Sequence, residues 1–125
     1  MQLSAKIGGT NQHTKGKTNL LMNRIEKLLE LLEAAPGDSF LQHALGLEYL
    51  KLGDREKALQ FFTELLQQNP GYVGTYYHLG KLQAGLGNSS EAIATYEKGM
   101  AVAKAQNDRH AYSELQGALE ELTDD

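Results

Sequence analysis

The chain lacks several components on which whole classes of protein depend. Its 125 residues include no cysteine, no tryptophan and only two prolines. Without cysteine it can form no disulfide, no thiolate metal site and no cysteine nucleophile. No apolar run approaches the roughly 20 residues that span a bilayer, so no membrane association is expected. Absence of cysteine also fits a reducing compartment, and we predict a cytoplasmic protein.

Positive charge is scarce outside the N-terminal segment. The net charge is −4, but the first 19 residues contain three lysines and no acid, so the rest of the chain carries −7. An acidic body repels the phosphate backbone of nucleic acids, and we therefore expect no nucleic-acid partner. Hydrophobic residues make up 41% of the chain, which is enough to build a core.

The N-terminal segment differs in composition from everything that follows it. Residues 1–18 are rich in Gly, Thr, Lys, Gln and Asn and show no hydrophobic period. This composition predicts a disordered leader, followed by one helical domain over residues 19–125. Because a far more regular stretch begins at Met22, residues 1–21 are either a cloning leader or an upstream translated extension.

From Leu20 onward, apolar residues recur at helical spacing. The first stripe consists of Leu21, Ile25, Leu28 and Leu32. Six helices are predicted in all, and their starts are marked by residues of the capping type. The first is expected at Asn23 or one turn earlier, and the others after Ser39 (with Gln42 completing a capping box), after Asp54, near Val73, at Asn88 (with Glu91) and near Asp108.

Several features of the sequence recur at an interval of 34 residues. The recurring pairs are Leu45-Gly46 with Leu79-Gly80, Gly53 with Gly87, Ala58 with Ala92, Phe62 with Tyr96, and Pro36 with Pro70. A helix–turn–helix unit of 34 residues has the tetratricopeptide period. The pattern resembles the tetratricopeptide repeat (TPR) family of small bacterial type, with departures at Gln83 and Lys104, where an aromatic residue and a proline are expected.

The resemblance implies an all-α fold in which antiparallel helix hairpins stack as a short right-handed superhelix of about six helices. Complete repeats are expected at about residues 39–72 and 73–106, with a capping helix at about 108–123. Small residues such as Gly46 and Gly80 are expected where two helices approach closely, and Phe62 and Tyr96 are expected to fill the space between helices. In the capping helix, Gln116 stands where glycine would admit another helix.

No arrangement of residues indicates catalysis, so we predict that the protein is not an enzyme and that it has no cofactor and no metal. No histidine pair has metal-ligand spacing, and there is no phosphate-binding loop or nucleophile motif. His43 and His78 lie 35 residues apart on equivalent helices, which predicts that they face one surface side by side. Two interpretations stay open: they are either polar residues of a groove or a metal-binding or titrating pair.

The first helix of each repeat has a second stripe, which the repeat pattern does not require for packing. In repeat arrays this face lines the concave groove. The predicted groove residues are Phe40, His43, Leu47, Leu50, Lys51, Tyr77, His78 and Lys81. The apolar members predict a contact surface for a peptide or helix of a partner protein, with a preference for acidic character that mild acid strengthens. The alternative is a self-associating module, such as a homodimer, whose groove its own chain fills.

One subtype of the family binds acidic chaperone tails through a carboxylate clamp of Lys, Asn and Arg side chains. At the matching offsets this chain has His43, Leu47 and His78. The last helix has Asp108 and Tyr112 there, or His110 and Glu114 after a two-residue shift. Membership of that subtype is therefore not expected.

Overall fold

The computed structural model describes residues 12–124, which form six α-helices. Their bounds are α1 Gln12–Ala34, α2 Ser39–Leu52, α3 Arg55–Gln68, α4 Gly74–Gly85, α5 Ser89–Ala105 and α6 Arg109–Thr123. Each helix packs against the next, and the short loops make neighbours antiparallel. α4 also packs against α6, so the first helices of successive hairpins share one side of the stack. The predicted all-α helical repeat is confirmed.

Helix α1 is longer than the sequence pattern predicted. It begins at Gln12, so residues 12–18 are helical rather than an irregular leader, and Asn23 lies inside the helix rather than at its start. Extending an existing helix by one residue costs far less free energy than nucleating a new helix. Once the buried stripe of α1 has formed a helix, the polar residues before it can therefore extend that helix. Residues 1–11, the rest of the predicted leader, lie outside the described part of the chain.

Aspartates mark three of the helix starts. The carboxylates of Asp38, Asp54 and Asp108 accept hydrogen bonds from the third backbone N–H that follows each of them, at 3.0–3.1 Å. For α2 the cap is therefore Asp38 and not Ser39, whose hydroxyl instead accepts from Asn69 Nδ2 at 2.9 Å. Asn88 occupies the cap position of α5 without a side-chain hydrogen bond.

The core is built from one contact that occurs in both repeats. A Cβ atom added to Gly46 would overlap the ring of Phe62, and one added to Gly80 would overlap the ring of Tyr96. Phe62 is fully buried and Tyr96 is 2% exposed. The glycines therefore let the aromatic side chain of the second helix lie directly against the backbone of the first, as the sequence predicted.

A third close contact, absent from the sequence prediction, joins the second repeat to α6. A Cβ atom added to Gly99 would lie 2.6–2.9 Å from Tyr76 and Leu115, so glycine at this position lets α5 lie close to both α4 and the middle of α6. Leu115 is 1% exposed, whereas Gln116 is exposed and Gly117 faces open space. The outer side of α6 is thus polar and uncovered in the described chain, as expected of a terminal helix.

Candidate functional site

Side chains of α2 and α4 form the centre of a cluster of aromatic and imidazole rings. The ring centroids of His43 and His78 lie 5.5 Å apart in an edge-on arrangement. Phe62 lies beneath both, at 5.8 Å from His43 and 6.2 Å from His78. Tyr72 lies 5.7 Å from His43, and Tyr77 lies 5.5 Å from His78. The predicted side-by-side placement of the two histidines is what the structure shows.

The orientation of His43 is set by Thr75. His43 Nδ1 and Thr75 Oγ1 lie 2.7 Å apart in a hydrogen bond that links α2 to α4. Thr75 is fully buried, so its hydroxyl has little freedom to find another partner. The bond leaves only Nε2 of His43 available for another partner.

Burial disfavours the charged form of both imidazoles. Desolvation lowers the pKa of His43 below its ordinary value of 6.5, and the neighbouring His78 lowers it further. Desolvation also lowers the pKa of His78, against the attraction of the Glu114 carboxylate on α6, which raises it. Burial therefore favours the neutral form of both rings, and their protonation requires more acid than the expected mild acid near pH 6.5.

A depression of about 250 Å³ opens beside the ring cluster. Its lining is Leu50, Arg55, Tyr77, His78, Lys81, Leu82 and Gly85. Lys81 lies with Nζ 5.8 Å from the centroid of the Tyr77 ring. The floor is thus aromatic and aliphatic, while Lys81 and Arg55 place two cations at its margin. Such a surface suits an apolar side chain accompanied by negative charge.

Four of the predicted groove residues line this depression: Leu50, Tyr77, His78 and Lys81. His43 joins them through its contact with His78. Leu47, Leu50 and Tyr77 are half-buried and pack against the core, so the view that packing does not need them was wrong. Side chains on the inner margin of a helix serve the core and the groove together.

Two predicted groove residues lie outside this cluster. Phe40, one turn before His43, is 65% exposed and takes no part in the described ring contacts. Lys51 Nζ donates to Glu48 Oε2 of its own helix at 3.3 Å. Glu48 in turn lies 3.8 Å from Arg24 of α1, so part of the charge of Lys51 is neutralised beside α1.

Sequence reasoning missed three residues of this site. Arg55 begins α3, Tyr72 lies in the loop before α4, and Thr75 is in the first turn of α4. Arg55 and Tyr72 do not lie on α2 or α4, so helical spacing cannot relate them to the predicted stripe, whereas Thr75 lies on α4 three residues before His78 and was overlooked. Tyr72 follows the Pro70-Gly71 turn, and an aromatic residue directly after a turn was the one available indication.

A second depression of about 350 Å³ continues from the first toward α6. Lys81 and Gly85 belong to both depressions. On the α6 side the lining includes Glu121. The carboxylate of Glu114, on the same helix, favours the charged form of His78 and so partly offsets the lowering of its pKa by desolvation. The concave side therefore passes from cationic residues near α2 and α4 to carboxylates on α6.

The described residues place limits on other kinds of site. Between residues 12 and 124, no group of three or more His, Cys, Asp or Glu side chains is arranged to hold a metal ion. Over the same residues, no helix is long and apolar enough to cross a membrane.

The fold and its concave ring cluster define a helix-hairpin repeat protein, and similarity to known proteins identifies the family. Residues 49–119 match the family model described as tetratricopeptide repeat. A TPR repeat-containing protein of Pseudomonas aeruginosa is 31% identical over 98 residues, which cover 78% of this chain and 93% of that protein. The chain belongs to the tetratricopeptide repeat family, as its sequence pattern indicated.

Solved structures agree with this family. The crystal structure of a tetratricopeptide repeat domain protein from Salinibacter ruber is 44% identical, with a TM-score of 0.66, and the match covers 68% of this chain and 94% of that one. The TPR2B domain of yeast Sti1, solved in complex with an Hsp70 peptide, has a TM-score of 0.63 over 92% of this chain and 95% of that one. Its identity is 16%, so this second likeness concerns the fold alone.

Proposed function

We propose that the protein is a non-enzymatic scaffold or adaptor that binds a peptide or helix of a partner protein in its concave groove. TPR domains bind protein or peptide partners as a class, and the chain has their fold. The observation that carries the proposal is the depression between Leu50, Tyr77 and Lys81, where an apolar floor is open to solvent beside two cations. Exposed apolar surface with a charged rim is typical of contact sites.

The glycine at the end of α4 offers a direct test. Gly85 lines both depressions, and a Cβ atom added there would meet nothing within 4 Å. Gly85→Phe should therefore fill the groove without disturbing the core. Gly37→Phe is the matched control, because Gly37 also faces open space but lies in the loop between α1 and α2.

The experiment compares proteins captured from the source organism by the wild type and by these two variants. We expect a partner that the wild type and Gly37→Phe retain and that Gly85→Phe loses, while circular dichroism shows equal helicity. Capture should weaken as salt rises, because exposed charges are screened over about 8–10 Å at physiological ionic strength. A partner retained equally by Gly85→Phe would place the binding surface elsewhere.

Self-association is the competing function, and one observation favours it. Four large hydrophobic residues of α1 are exposed: Leu20, Met22, Leu29 and Leu31. Leu31 is 48% exposed, although its counterpart one repeat later, Leu65, is fully buried. Light scattering of the pure protein across concentrations separates the two functions, since only self-association predicts a dimer.

A further inference from the structure

We infer that the concave groove is charge-polarised and that its partner segment is dipolar, with carboxylates over the α2–α4 side, an apolar centre, and a cationic group over α6. The inference rests on the proposed function, which it sharpens by specifying the charge pattern and the orientation of the bound segment. It replaces the simpler expectation of an acidic partner, which considered α2 and α4 without the facing helix α6.

The polarity is visible when equivalent positions of the three groove helices are compared. Leu45-Gly46 of α2 corresponds to Leu79-Gly80 of α4, and buried Leu115 followed by Gln116 takes the same place on α6. Five residues after Gly46, Gly80 and Gln116 stand Lys51, Gly85 and Glu121, respectively. On this line Lys51 is paired with Glu48, Gly85 has no side chain, and Glu121 places an anion on α6.

A second line gives the same direction. Two residues before Gly46, Gly80 and Gln116 stand Ala44, His78 and Glu114, respectively. The carboxylate of Glu114 is near enough to raise the pKa of His78 against its desolvation. Both lines therefore place the negative charge of the groove on α6, opposite the aromatic cluster.

The basic side consists of residues without a described acidic partner. Lys81 and Arg55 border the apolar floor, and neither forms an ion pair within residues 12–124. Lys81 and Glu121 line one depression but form no ion pair with each other. Both charges are thus available to a ligand, which satisfies them together only if it carries opposite charges at its two ends.

The span of the groove sets the length of the segment. Packed helices lie roughly 8–10 Å apart; since side chains join α2 to α4 and α4 packs against α6, the groove spans two such intervals, at least roughly 16–20 Å. An extended segment of about five to seven residues covers this distance at about 3.3 Å per residue. The central depression of about 250 Å³ has room for one large apolar side chain.

The test uses synthetic seven-residue peptides with a Leu-Phe-Leu centre. One carries two aspartates on one side and two lysines on the other, and it is made in both chain directions. Comparison peptides replace the lysines, the aspartates or both by serines. Fluorescence anisotropy with labelled peptides gives each dissociation constant on the full chain. We expect one direction of the dipolar peptide to bind about two- to five-fold more tightly than the peptides charged on one side, as exposed ion pairs allow.

Charge-removing variants connect this preference to particular residues. The double variant Glu114→Gln, Glu121→Gln should abolish the advantage of the dipolar peptide over the aspartate-only peptide. The double variant Arg55→Gln, Lys81→Gln should abolish its advantage over the lysine-only peptide. The control Glu91→Gln, Glu97→Gln removes the same charge from exposed positions of α5 and should leave the ranking unchanged.

The outcomes separate the two proposals. If the dipolar peptide binds no better than the aspartate-only peptide, or if the α6 variant weakens both equally, the polarity is overturned while groove binding stands. If Gly85→Phe binds every peptide as well as the wild type does, or if the wild type binds none, the groove is not the site and both proposals fail.

Discussion

The two complete repeats share the close contact at the centre of their core but differ along the predicted groove. Gly46 against Phe62 in the first repeat corresponds to Gly80 against Tyr96 in the second, and each glycine admits the ring of the following helix. At the groove position one residue after each glycine, Leu47 is replaced by Lys81. Packing constrains one face of each helix to a single solution, whereas the other face is free to diverge and can acquire specificity.

The largest loss of stability is expected when an aromatic residue of the shared contact is removed. Phe62→Ala should lower the free energy of unfolding by roughly 3–5 kcal/mol, because a buried ring is replaced by a cavity. Tyr96→Ala should cost a similar amount in the second repeat. Urea unfolding followed by circular dichroism measures both. A melting temperature unaffected by Phe62→Ala would overturn the repeat alignment.

The glycines of the same contact allow the opposite perturbation. Gly46→Ala and Gly80→Ala should each destabilise the protein by roughly 1–3 kcal/mol, because the new methyl group forces the ring of Phe62 or Tyr96 to move. Gly117→Ala provides the control, since it is also helical but faces open space. It should stabilise the protein by about 0.5–1 kcal/mol through helix propensity. Equal effects at Gly46 and Gly117 would contradict the close helix contact.

The repeats also tether their preceding loops at equivalent positions but with different strength. The Tyr76 hydroxyl donates to the carbonyl of Pro70 at 2.6 Å, whereas Gln42 Nε2 donates to the carbonyl of Pro36 at 3.5 Å. Tyr76→Phe should cost about 0.5–1.5 kcal/mol by removing the shorter bond. Tyr96→Phe should cost less, since no hydrogen bond of its hydroxyl is described. Unfolding free energies of the two variants, measured in the same denaturant series, test whether Tyr76→Phe costs more than Tyr96→Phe.

The smallest expected effect is a dependence of stability on pH that belongs to the groove. His43 and His78 have folded pKa values below 6.5, so the unfolded chain binds more protons as the pH falls below 6.5. Stability is therefore fully present above pH 6.5 and declines as the pH falls toward the lowered folded pKa values. Partial exposure keeps the decline modest. Melting temperatures measured between about pH 7.5 and about pH 5.5 should show this decline in stability.

Substitution of the histidines tests whether they cause this decline in stability. The double variant His43→Gln, His78→Gln should flatten the dependence of the melting temperature on pH, while His110→Gln, at an exposed position of α6, should leave it unchanged. A decline that persists in the double variant would mean that other groups cause it.

Much of the fold could be predicted from the sequence because the repeat contact is local and periodic. The 34-residue spacing located the pairs Gly46–Phe62 and Gly80–Tyr96, and Gly53 has the predicted left-handed conformation with φ at 92°. The start of α1 could not be predicted in this way. Residues 12–19 include no hydrophobic residue, so hydrophobic periodicity has nothing to detect before Leu20.

The candidate site was predictable only in part. Residues of one helix face, such as His43 with Leu47 and Tyr77 with Lys81, follow from helical spacing alone. Their function as groove residues stays a prediction. Arg55 and Tyr72 reach the same surface from other elements, and the acidic side of the groove follows from the packing of α6 against α4. No spacing rule within one helix relates such positions.

The helices, the 34-residue repeat, the family and the two glycine–aromatic contacts follow from the sequence alone, because each depends on short-range spacing and on glycine at close contacts. Which side chains lie together beside the depression, and which charges are neutralised, depends on how the helices pack. Lys51 turns to Glu48, while Lys81 stays free beside Tyr77 and faces Glu121 across a depression. The electrostatic character of a surface depends on distances between helices, and those distances exist only after the chain has packed.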